Sequence, residues 1–382
     1  MIPETIVGMA LGAFGAIPFI HTNLILQMLH GLFEAPGSLA AFAIAVSVSH
    51  SFFSLMPSMM VVAGFSAKNF EAFEKAAHVA MKALVICLIL LPAAYMLLPL
   101  LKDTWKAEFK FLFLSIVVSQ FIGKREVRDM VKGAALFLLC GIFGILAFHR
   151  VMAEPLFPML SGFFALPALL MGEMDAEVEE TAREKGISNW GDMGVVVACV
   201  IASALSTLFP AMTVGVLLGL LLITVKVGEA VPIALPALIV SKVFFDLAAG
   251  LITGDTRSYA AVLVEPLFEI YGIRAIFLLC AISLTAACFA AAISARAQGA
   301  ICRIYRDIQN LNTRRMLLLG MLIAIFIMGG FPGLLIASTS CLLGIAGRQL
   351  GVKRGFLMGA LLLPALIFHF GAYGLVEEAL FG

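Results

Sequence analysis

Charged side chains are scarce in this sequence. Asp, Glu, Lys and Arg make up 13% of its 382 residues, whereas soluble domains contain about 25%. Hydrophobic residues reach 62% and the mean hydropathy is +1.07, so the chain is predicted to be an integral membrane protein. It also lacks the short alternating segments of membrane β-strands. The predicted fold class is therefore an all-α polytopic membrane protein.

Motifs for bound cofactors and for covalent chemistry are missing as well. The sequence has no Walker A loop, no HExxH or GxSxG motif, no CxxC pair and no Cys/His cluster. Nothing therefore predicts an enzyme, an ATP-driven pump, a cofactor or a metal site. The net charge of +1 predicts no nucleic-acid partner. Most cysteines lie in apolar runs, as small buried hydrophobes: Cys87, Cys140, Cys199, Cys280, Cys288 and Cys341.

Twelve apolar segments, several as long as the roughly 20 residues that a membrane-spanning helix needs, make up most of the chain. They fall at 4–30, 38–64, 77–101, 109–122, 131–149, 154–172, 194–225, 230–254, 273–295, 315–331, 332–347 and 355–376. The polar stretch 174–193, "MDAEVEETAREKGISNWGDM", separates six segments from six. We therefore predict an N-terminal repeat at 1–173 with spans to 172, a polar inter-repeat loop at 174–193, and a C-terminal repeat at 194–382 with spans to 376.

The two halves share a phrase. The chain reads "SHSFFSL" at 49–55 and "SKVFFDL" at 241–247. A shift of 192 positions aligns these phrases and, without any gap, aligns Pro18 with Pro210. Apolar matches arise often by chance, but a proline, a serine and two phenylalanines in one register do not. The sequence therefore predicts an internal duplication.

The distribution of Lys and Arg in the loops favours two re-entrant hairpins. If all twelve segments cross the membrane, these residues divide almost evenly between the two faces. If 4–30 and 194–225 instead enter and leave on one side, the residues concentrate on one face, as the positive-inside rule expects. Each half then has a hairpin plus about five transmembrane helices, and the odd number of crossings makes the two repeats inverted. The alternative is twelve full spans with an accidental charge distribution.

The predicted hairpins carry a proline beside polar residues. The first reads "GMALGAFGAIPFIHTN" at 8–23, and its proline removes a backbone donor and breaks the helix. Broken helices at membrane depth occur where the freed backbone groups line a cavity or a binding site. The tip residues, predicted to bind substrate, are Pro18, His21, Thr22 and Asn23 in the first half and Pro210 and Thr213 in the second.

The helix after each hairpin carries ionisable residues four positions apart. Lys242 and Asp246 share one helical face, and the equivalent positions in the first half hold His50 and Ser54. Because a charge at the bilayer centre costs about 2.5–3.5 kcal/mol on insertion scales, these residues are predicted to face the protein interior or water. The alternative is a self-neutralising packing pair and a core histidine. Together with the adjacent serines, the predicted substrate-binding residues of these helices are Ser49, His50, Ser54, Ser241 and Lys242.

Three stretches resemble a known family. They are "GAFGAIPFIHTN" at 12–23, "SVSHSFFSLMPS" at 47–58 and "PLFPMLSGFFALPALLMG" at 155–172. They are similar to the short archaeal-type branch of the TctA family, the large membrane subunit of tripartite tricarboxylate transporters. The resemblance implies transport of an organic anion. The family usually has Gly after the hairpin proline, where this chain has Phe19 and Ala211. Bacterial members are longer and act with a periplasmic binding protein and a small membrane subunit, so the tricarboxylate substrate and those partners stay open here.

These patterns predict a secondary active transporter of a carboxylate-like organic anion, multi-pass in the cytoplasmic membrane, with its site between the two hairpin tips. Coupling to Na⁺ or H⁺ is expected because no nucleotide motif exists, with Asp246 and His50 as the ion-coupling residues. One lysine opposed by an aspartate suits a substrate with one or two negative charges. One alternative is a polyprenyl-phosphate (lipid phosphate) translocase, a class with a similar hairpin-and-repeat style. Another is a non-transporting structural membrane subunit. The partners expected are the anion and membrane lipids, and a homodimer is left open.

Overall fold

The structure of the protein is a computed structural model. It describes residues 1–16, 22–33, 35–62, 70–105, 111, 114, 118, 127–149, 155–171, 191–208, 214, 217–218, 231–256, 258–308, 310–352, 354–372, 374 and 378. Within these residues the elements are α1 (Ile2–Gly12), α2 (Thr22–Leu29), α3 (Pro36–Phe53), α4 (Leu55–Val62), α5 (Phe70–Trp105), α6 (Val127–Phe148), α7 (Leu156–Met171), α8 (Gly191–Leu205), α9 (Val231–Thr253), α10 (Tyr259–Tyr271), α11 (Arg274–Ile308), α12 (Leu311–Gln349) and α13 (Gly359–His369). Short 3₁₀ turns extend α1 to Ala16, α2 to Leu32 and α8 to Leu208, and another (Arg354–Met358) precedes α13. A π-helical turn lies within α7.

Six of the described helices are long and apolar enough to cross a membrane: α3, α5, α6, α9, α11 and α12. The described residues contain no strand. Because a helix satisfies its own backbone hydrogen bonds, it is one of the few structures that hydrocarbon tolerates. The prediction of an all-α membrane protein is confirmed. Shorter apolar helices include Ile2–Ala16 and Met193–Leu208, which lie in the segments predicted as hairpins.

The chain forms two compact units that do not follow the two halves of the sequence. Unit 1 contains Met1–Asp103 and Asp175–Asp307, and unit 2 contains Thr104–Met174 and Ile308–Gly382. Each unit therefore draws one segment from each side of the polar stretch at 174–193. The predicted division into sequence repeats concerns duplication rather than compactness, and it stays a prediction.

Unit 1 is built around α3 and α9. In the most apolar window of each of these helices 78% of the residues are buried, against 28% in α5 and α11. The outer helices expose large apolar side chains such as Ile89 and Phe277, which suits contact with lipid tails. Polar residues on α3 and α9 are therefore held inside protein, whereas most of α5 and α11 faces outward.

Helices α1 and α3 run in the same direction and lie unusually close. A Cβ atom built on Gly8 would lie 2.8 Å from Ala45 Cβ, and one built on Gly12 would lie 2.7 Å from Ser49 Cβ. At the end of α1, a Cβ on Gly15 would reach 2.5 Å from the carbonyl oxygen of His50. Contacts thus advance along both helices together, so the pair is parallel. Only glycine permits backbones to approach this closely.

Helices α8 and α9 form a parallel pair in a similar register. The Cys199 thiol donates to the carbonyl oxygen of Ala234 at 3.7 Å, and the hydroxyls of Ser203 and Ser241 are 2.7 Å apart. Contacts again advance along both helices together. The partners Ser203 and Ser241 are 38 positions apart, close to the 37 positions between Gly12 and Ser49. The two halves therefore repeat one packing arrangement.

In unit 2, helix α12 contains a kink. Gly330 has φ of 57° and ψ of −151°, and Pro332 follows it. A positive φ suits glycine, and proline cannot donate the hydrogen bond that would continue the first helix. The kink joins two predicted segments, 315–331 and 332–347, and leaves a second portion of α12 at 331–349. Predicted segment 38–64 contains two assigned elements, α3 and α4, which meet at Ser54, a residue with helical dihedral angles.

Two parallel helix pairs build unit 2. Along α6, Gly133 lies against Phe356 of the 3₁₀ turn that precedes α13. Further along, α6 meets α13 itself, with Phe137 against Gly359, Gly141 against Leu363 and Gly144 against Ala360. Along α7 and the second portion of α12, the glycine contacts also advance together, joining Gly333 to Pro158, Gly162 to Ser340, and Gly344 to Phe163 and Pro167. The chain folds back between α12 and α13, since a Cβ on Gly347 would lie 3.6 Å from Leu357. It follows that α6 and the second portion of α12 run in opposite directions.

Candidate functional site

An ion pair lies within α9, inside unit 1. The ammonium group of Lys242 donates a hydrogen bond to Oδ1 of Asp246, one turn further along the same face. The two side chains are 10% and 20% exposed, and their neighbours Phe244 and Phe245 are fully buried. Pairing offsets part of the cost of placing charge in a buried helix. The structure thus brings together the two ionic residues that the sequence singled out.

The corresponding positions on α3 are neutral or weakly basic. His50 is half-buried in the last turn of α3, and a Cβ built on Gly15 would lie 3.0 Å from its Nδ1 atom. The Ser54 hydroxyl donates to the carbonyl oxygen of Ser51 at 2.9 Å. His50 therefore lies beside the 3₁₀ turn that ends the first arm of the predicted hairpin. Helices α3 and α9 also pack against each other.

The two predicted serines occupy equivalent and fully buried places. Ser49 Oγ donates to the carbonyl oxygen of Ala45, and Ser241 Oγ donates to that of Ala237, both at 2.6 Å. Neither serine has exposed surface. The Ser241 hydroxyl also lies 2.7 Å from that of Ser203 in α8, and Ser49 Oγ lies 3.4 Å from the carbonyl oxygen of Gly8 in α1. Their predicted role in binding substrate stays a prediction.

The predicted hairpin tips lie largely outside the described residues. This applies to Pro18, His21, Pro210 and Thr213, and also to the side chain of Asn23. Thr22 is the first residue of α2 and is half-buried. Three buried hydroxyls precede the second predicted tip, on Ser203, Ser206 and Thr207. Those of Ser206 and Thr207 donate to the carbonyl oxygens of Ser203 and Ala204 in α8.

One carboxylate near the ion pair was not identified from the sequence. Helix α10, absent from the predicted apolar segments, packs against both α3 and α9. Its Glu265 places Cβ and Cγ at 3.8 and 3.9 Å from a Cβ built on Gly250, which follows Asp246 by one turn. The spacing of Asp246 and Gly250 was visible in the sequence. Which side chain of α10 lies opposite Gly250 depends on how the chain folds back after α9.

A second ion pair lies at the carboxyl end of α9. The ammonium group of Lys102, from α5, donates to the carbonyl oxygen of Thr253 at 2.7 Å and lies 2.8 Å from a carboxylate oxygen of Asp255. A cation at this place complements the partial negative charge of a helix carboxyl end. The pair anchors α5 to the helix that carries Lys242 and Asp246.

Metal-binding groups are not clustered in the portion of the chain that the structure describes. Among those residues, no three His, Cys, Asp or Glu side chains come together in a way that could hold a metal ion. Among the described residues, the reactive or polar groups around α9 include ammonium groups, carboxylates, an imidazole, a thiol and hydroxyls.

Comparison with known proteins adds no assignment. No protein-family model matches the sequence, and neither the curated proteins nor the solved structures give a significant match.

Proposed function

We propose that the protein is a secondary transporter of a small organic anion, coupled to a cation and built from two inverted repeats. The observation that carries this proposal is the largely buried Lys242–Asp246 pair on α9, a central helix of unit 1. Ionisable residues inside membrane segments are costly and usually functional. A pair whose members could each bind an ion of opposite charge suits the joint binding of an anion and a cation.

The helix directions support the hairpins. Because α1 and α3 are parallel, the chain between them must return to the side from which α1 starts, and α2 lies in that interval. The helix Ile2–Ala16 is about 22 Å long at 1.5 Å per residue, which is shorter than the roughly 30 Å hydrocarbon layer. The parallel pair α8 and α9 supports the same course in the second half. In this proposal the two tips approach one shared site.

Unit 2 supports the inversion. The sequence "LLCGIFG" at 138–144 in α6 resembles "CLLGIAG" at 341–347 in α12, and "LPALLM" at 166–171 in α7 resembles "LPALIF" at 363–368 in α13. The helices matched in this way, α6 and the second portion of α12, run in opposite directions. Matched segments of opposite direction are what inverted repeats require.

Burial in unit 1 supports the duplication independently. A shift of 203 positions aligns α6 with the second portion of α12 and also places the buried stripe of α5 on that of α11. The aligned buried residues are Ala76, Val79, Ala80, Ala83, Leu84 and Cys87 in α5, and Leu279, Ile282, Ser283, Ala286, Ala287 and Ala290 in α11. Few of the aligned residues are identical. The agreement is therefore in which positions are buried, rather than in which amino acids occupy them.

Charge balance supports cation coupling. Lys242 and Asp246 neutralise each other when nothing is bound, so adding an anion alone leaves one net negative charge in a buried place. Binding a proton or Na⁺ at Asp246 removes that excess and releases the ammonium group for the anion. A carboxylate is the preferred substrate because the stretches at 12–23, 47–58 and 155–172 resemble a family of carboxylate carriers. The same ammonium group also suits a lipid phosphate. The uptake and flipping assays described next distinguish the two substrates.

Uptake into proteoliposomes tests the function. Purified protein should accumulate labelled di- or tricarboxylates when a proton or sodium gradient is imposed, and Asp246→Asn should abolish the gradient-driven uptake. Glu269→Gln is the matched control, since Glu269 is an exposed carboxylate on α10. A polyprenyl-phosphate flipping assay runs in parallel. Flipping without carboxylate uptake would show that the substrate is a lipid phosphate. If the protein showed neither activity, the proposed function would be refuted.

Cysteine labelling tests the hairpin separately. In a chain whose native cysteines are replaced, single cysteines at Ile2 and Gly31 mark the two ends of the first hairpin. Both positions are exposed, and Gly31 has no atom within 4 Å of a built Cβ, so a cysteine fits there. Both should react with a membrane-impermeant maleimide from one side only. Labelling from opposite sides would show a full span instead.

A further inference from the structure

The face of α9 that carries the ion pair continues into a notch. Lys242, Asp246 and Gly250 follow one another at intervals of four residues and therefore share a face. Gly250 has no side chain, and the Cβ and Cγ atoms of Glu265 lie against the space left there. Four residues advance a helix by about 6 Å, so the Glu265 side chain begins about one turn beyond Asp246.

Glu265 lies between the buried pair and the polar end of α9. It is half-buried on α10, while the flanking residues Val264 and Leu267 are fully buried. One further turn along α9 the chain reaches the Lys102–Asp255 pair, whose Asp255 is partly exposed. Carboxylates thus follow one another from the interior of unit 1 to its polar end, with Glu265 as the middle member.

We infer that Glu265 conducts protons between Asp246 and the aqueous phase at the carboxyl end of α9. The protonated Glu265 carboxyl gives its proton to the Asp246 carboxylate and is then reprotonated from water. Neutral Asp246 no longer holds the ammonium group of Lys242, which becomes available to an anion. This inference rests on the proposed function in taking Asp246 as the coupling residue, and it selects the proton as the coupling ion.

The other titratable and charged groups on the elements that pack against α9 lie away from Gly250. In the described portion of the chain they include His50 from α3, the Cys199 thiol from α8, Glu269 from α10, and the Lys102–Asp255 pair at the end of α9. Cys199 donates to Ala234, well before Lys242 in α9, and Glu269 is exposed. His50 lies beside Gly15 of α1. Glu265 is the carboxylate that lies against Gly250.

Proton transfer is measured on the purified full chain in lipid. Infrared difference spectra after a jump from alkaline to acidic buffer follow the carboxyl band of Asp246, which is assigned by its loss in Asp246→Asn. If that variant does not fold, Asp246→Glu assigns the band by its shift in frequency. General acid–base groups contribute about 10²–10⁴-fold to proton-transfer rates. We expect Glu265→Gln to slow protonation of Asp246 at least about tenfold, whereas Glu269→Gln leaves the rate unchanged.

Filling the notch gives a second test that removes no carboxylate. A Cβ on Gly250 would meet its neighbours at 3.5–3.9 Å, which is ordinary contact. Gly250→Ala should therefore keep the rate, whereas Gly250→Leu should slow it by separating the two carboxyl groups. An unchanged rate in Glu265→Gln would overturn the inference, and so would an unchanged rate in a folded Gly250→Leu variant. Because the spectra need no substrate, failure of anion uptake would refute the proposed function and leave this result interpretable.

Discussion

Replacing Gly12 with alanine tests the close packing of α1 on α3. The added Cβ would overlap the Ser49 hydroxyl and would lie 2.7 Å from Ser49 Cβ and 2.8 Å from the backbone nitrogen of His50. Favourable contacts between carbon atoms need about 3.5–4.0 Å. The backbone of α3 cannot rotate out of the way, so α1 must move outward by about 1 Å.

The expected loss follows from two opposing terms. Overpacking of a well-packed interior costs about 1–3 kcal/mol, whereas alanine favours a helix over glycine by about 1 kcal/mol. Gly194→Ala in α8 isolates the second term, because a Cβ there meets no atom within 4 Å. We therefore expect the free energy of unfolding of Gly12→Ala to lie about 1–3 kcal/mol below that of Gly194→Ala.

Unfolding in mixed detergent–SDS micelles, followed by circular dichroism, measures both variants. Ser49→Gly removes the two side-chain atoms that collide and leaves the backbone nitrogen of His50 at 2.8 Å, so it should rescue Gly12→Ala in part. In a double-mutant cycle, the loss in the double variant should be smaller than the sum of the two single losses. If Gly12→Ala were as stable as Gly194→Ala, the close parallel packing of α1 and α3 would be wrong. If Ser49→Gly gave no rescue at all, the Ser49 side chain would not be the source of the strain.

Further predictions concern the other buried contacts. Lys242→Leu or Asp246→Leu alone should lower the free energy of unfolding by about 3–5 kcal/mol, because each breaks a largely buried ion pair by removing one member, whereas the double replacement should recover most of that loss. Single replacements without effect in the SDS titration would contradict burial of the pair. Gly144→Ala should lower the melting temperature, because its Cβ would lie 2.7 Å from the backbone carbonyl carbon of Ala360, and a melting temperature equal to wild type would refute this. Lys102→Met should cost at most about 1 kcal/mol and lose some of its effect at high salt, as partly exposed pairs do; a loss of several kcal/mol would show a larger role.

The sequence alone determined the class of fold and the position of the ionic residues. The scarcity of charge permitted few solutions other than membrane helices, because lipid cannot satisfy backbone hydrogen bonds. The four-residue spacing of Lys242 and Asp246 placed both on one face, since helical geometry is local. A shift of 192 positions related Ser49 to Ser241, whose hydroxyls donate to equivalent carbonyl oxygens, four residues earlier in each helix.

Only the tertiary structure decided which helices run parallel and which side chains meet. Apolar periodicity contains no direction, because any helix can pack against another in either sense. The glycine contacts of α1 with α3 supply that direction. The repeated motifs of α6 and α12 were present in the sequence, but their short and apolar matches gained meaning once the packing showed that these helices run in opposite directions.

The position of Glu265 shows the same limit at the candidate site. It belongs to a short helix with two glutamates and a proline, which an apolar profile does not select. Its nearness to Gly250 arises because α10 folds back onto α9. Contacts between residues on different elements depend on the summed packing of the whole unit, and no local pattern in the chain encodes them.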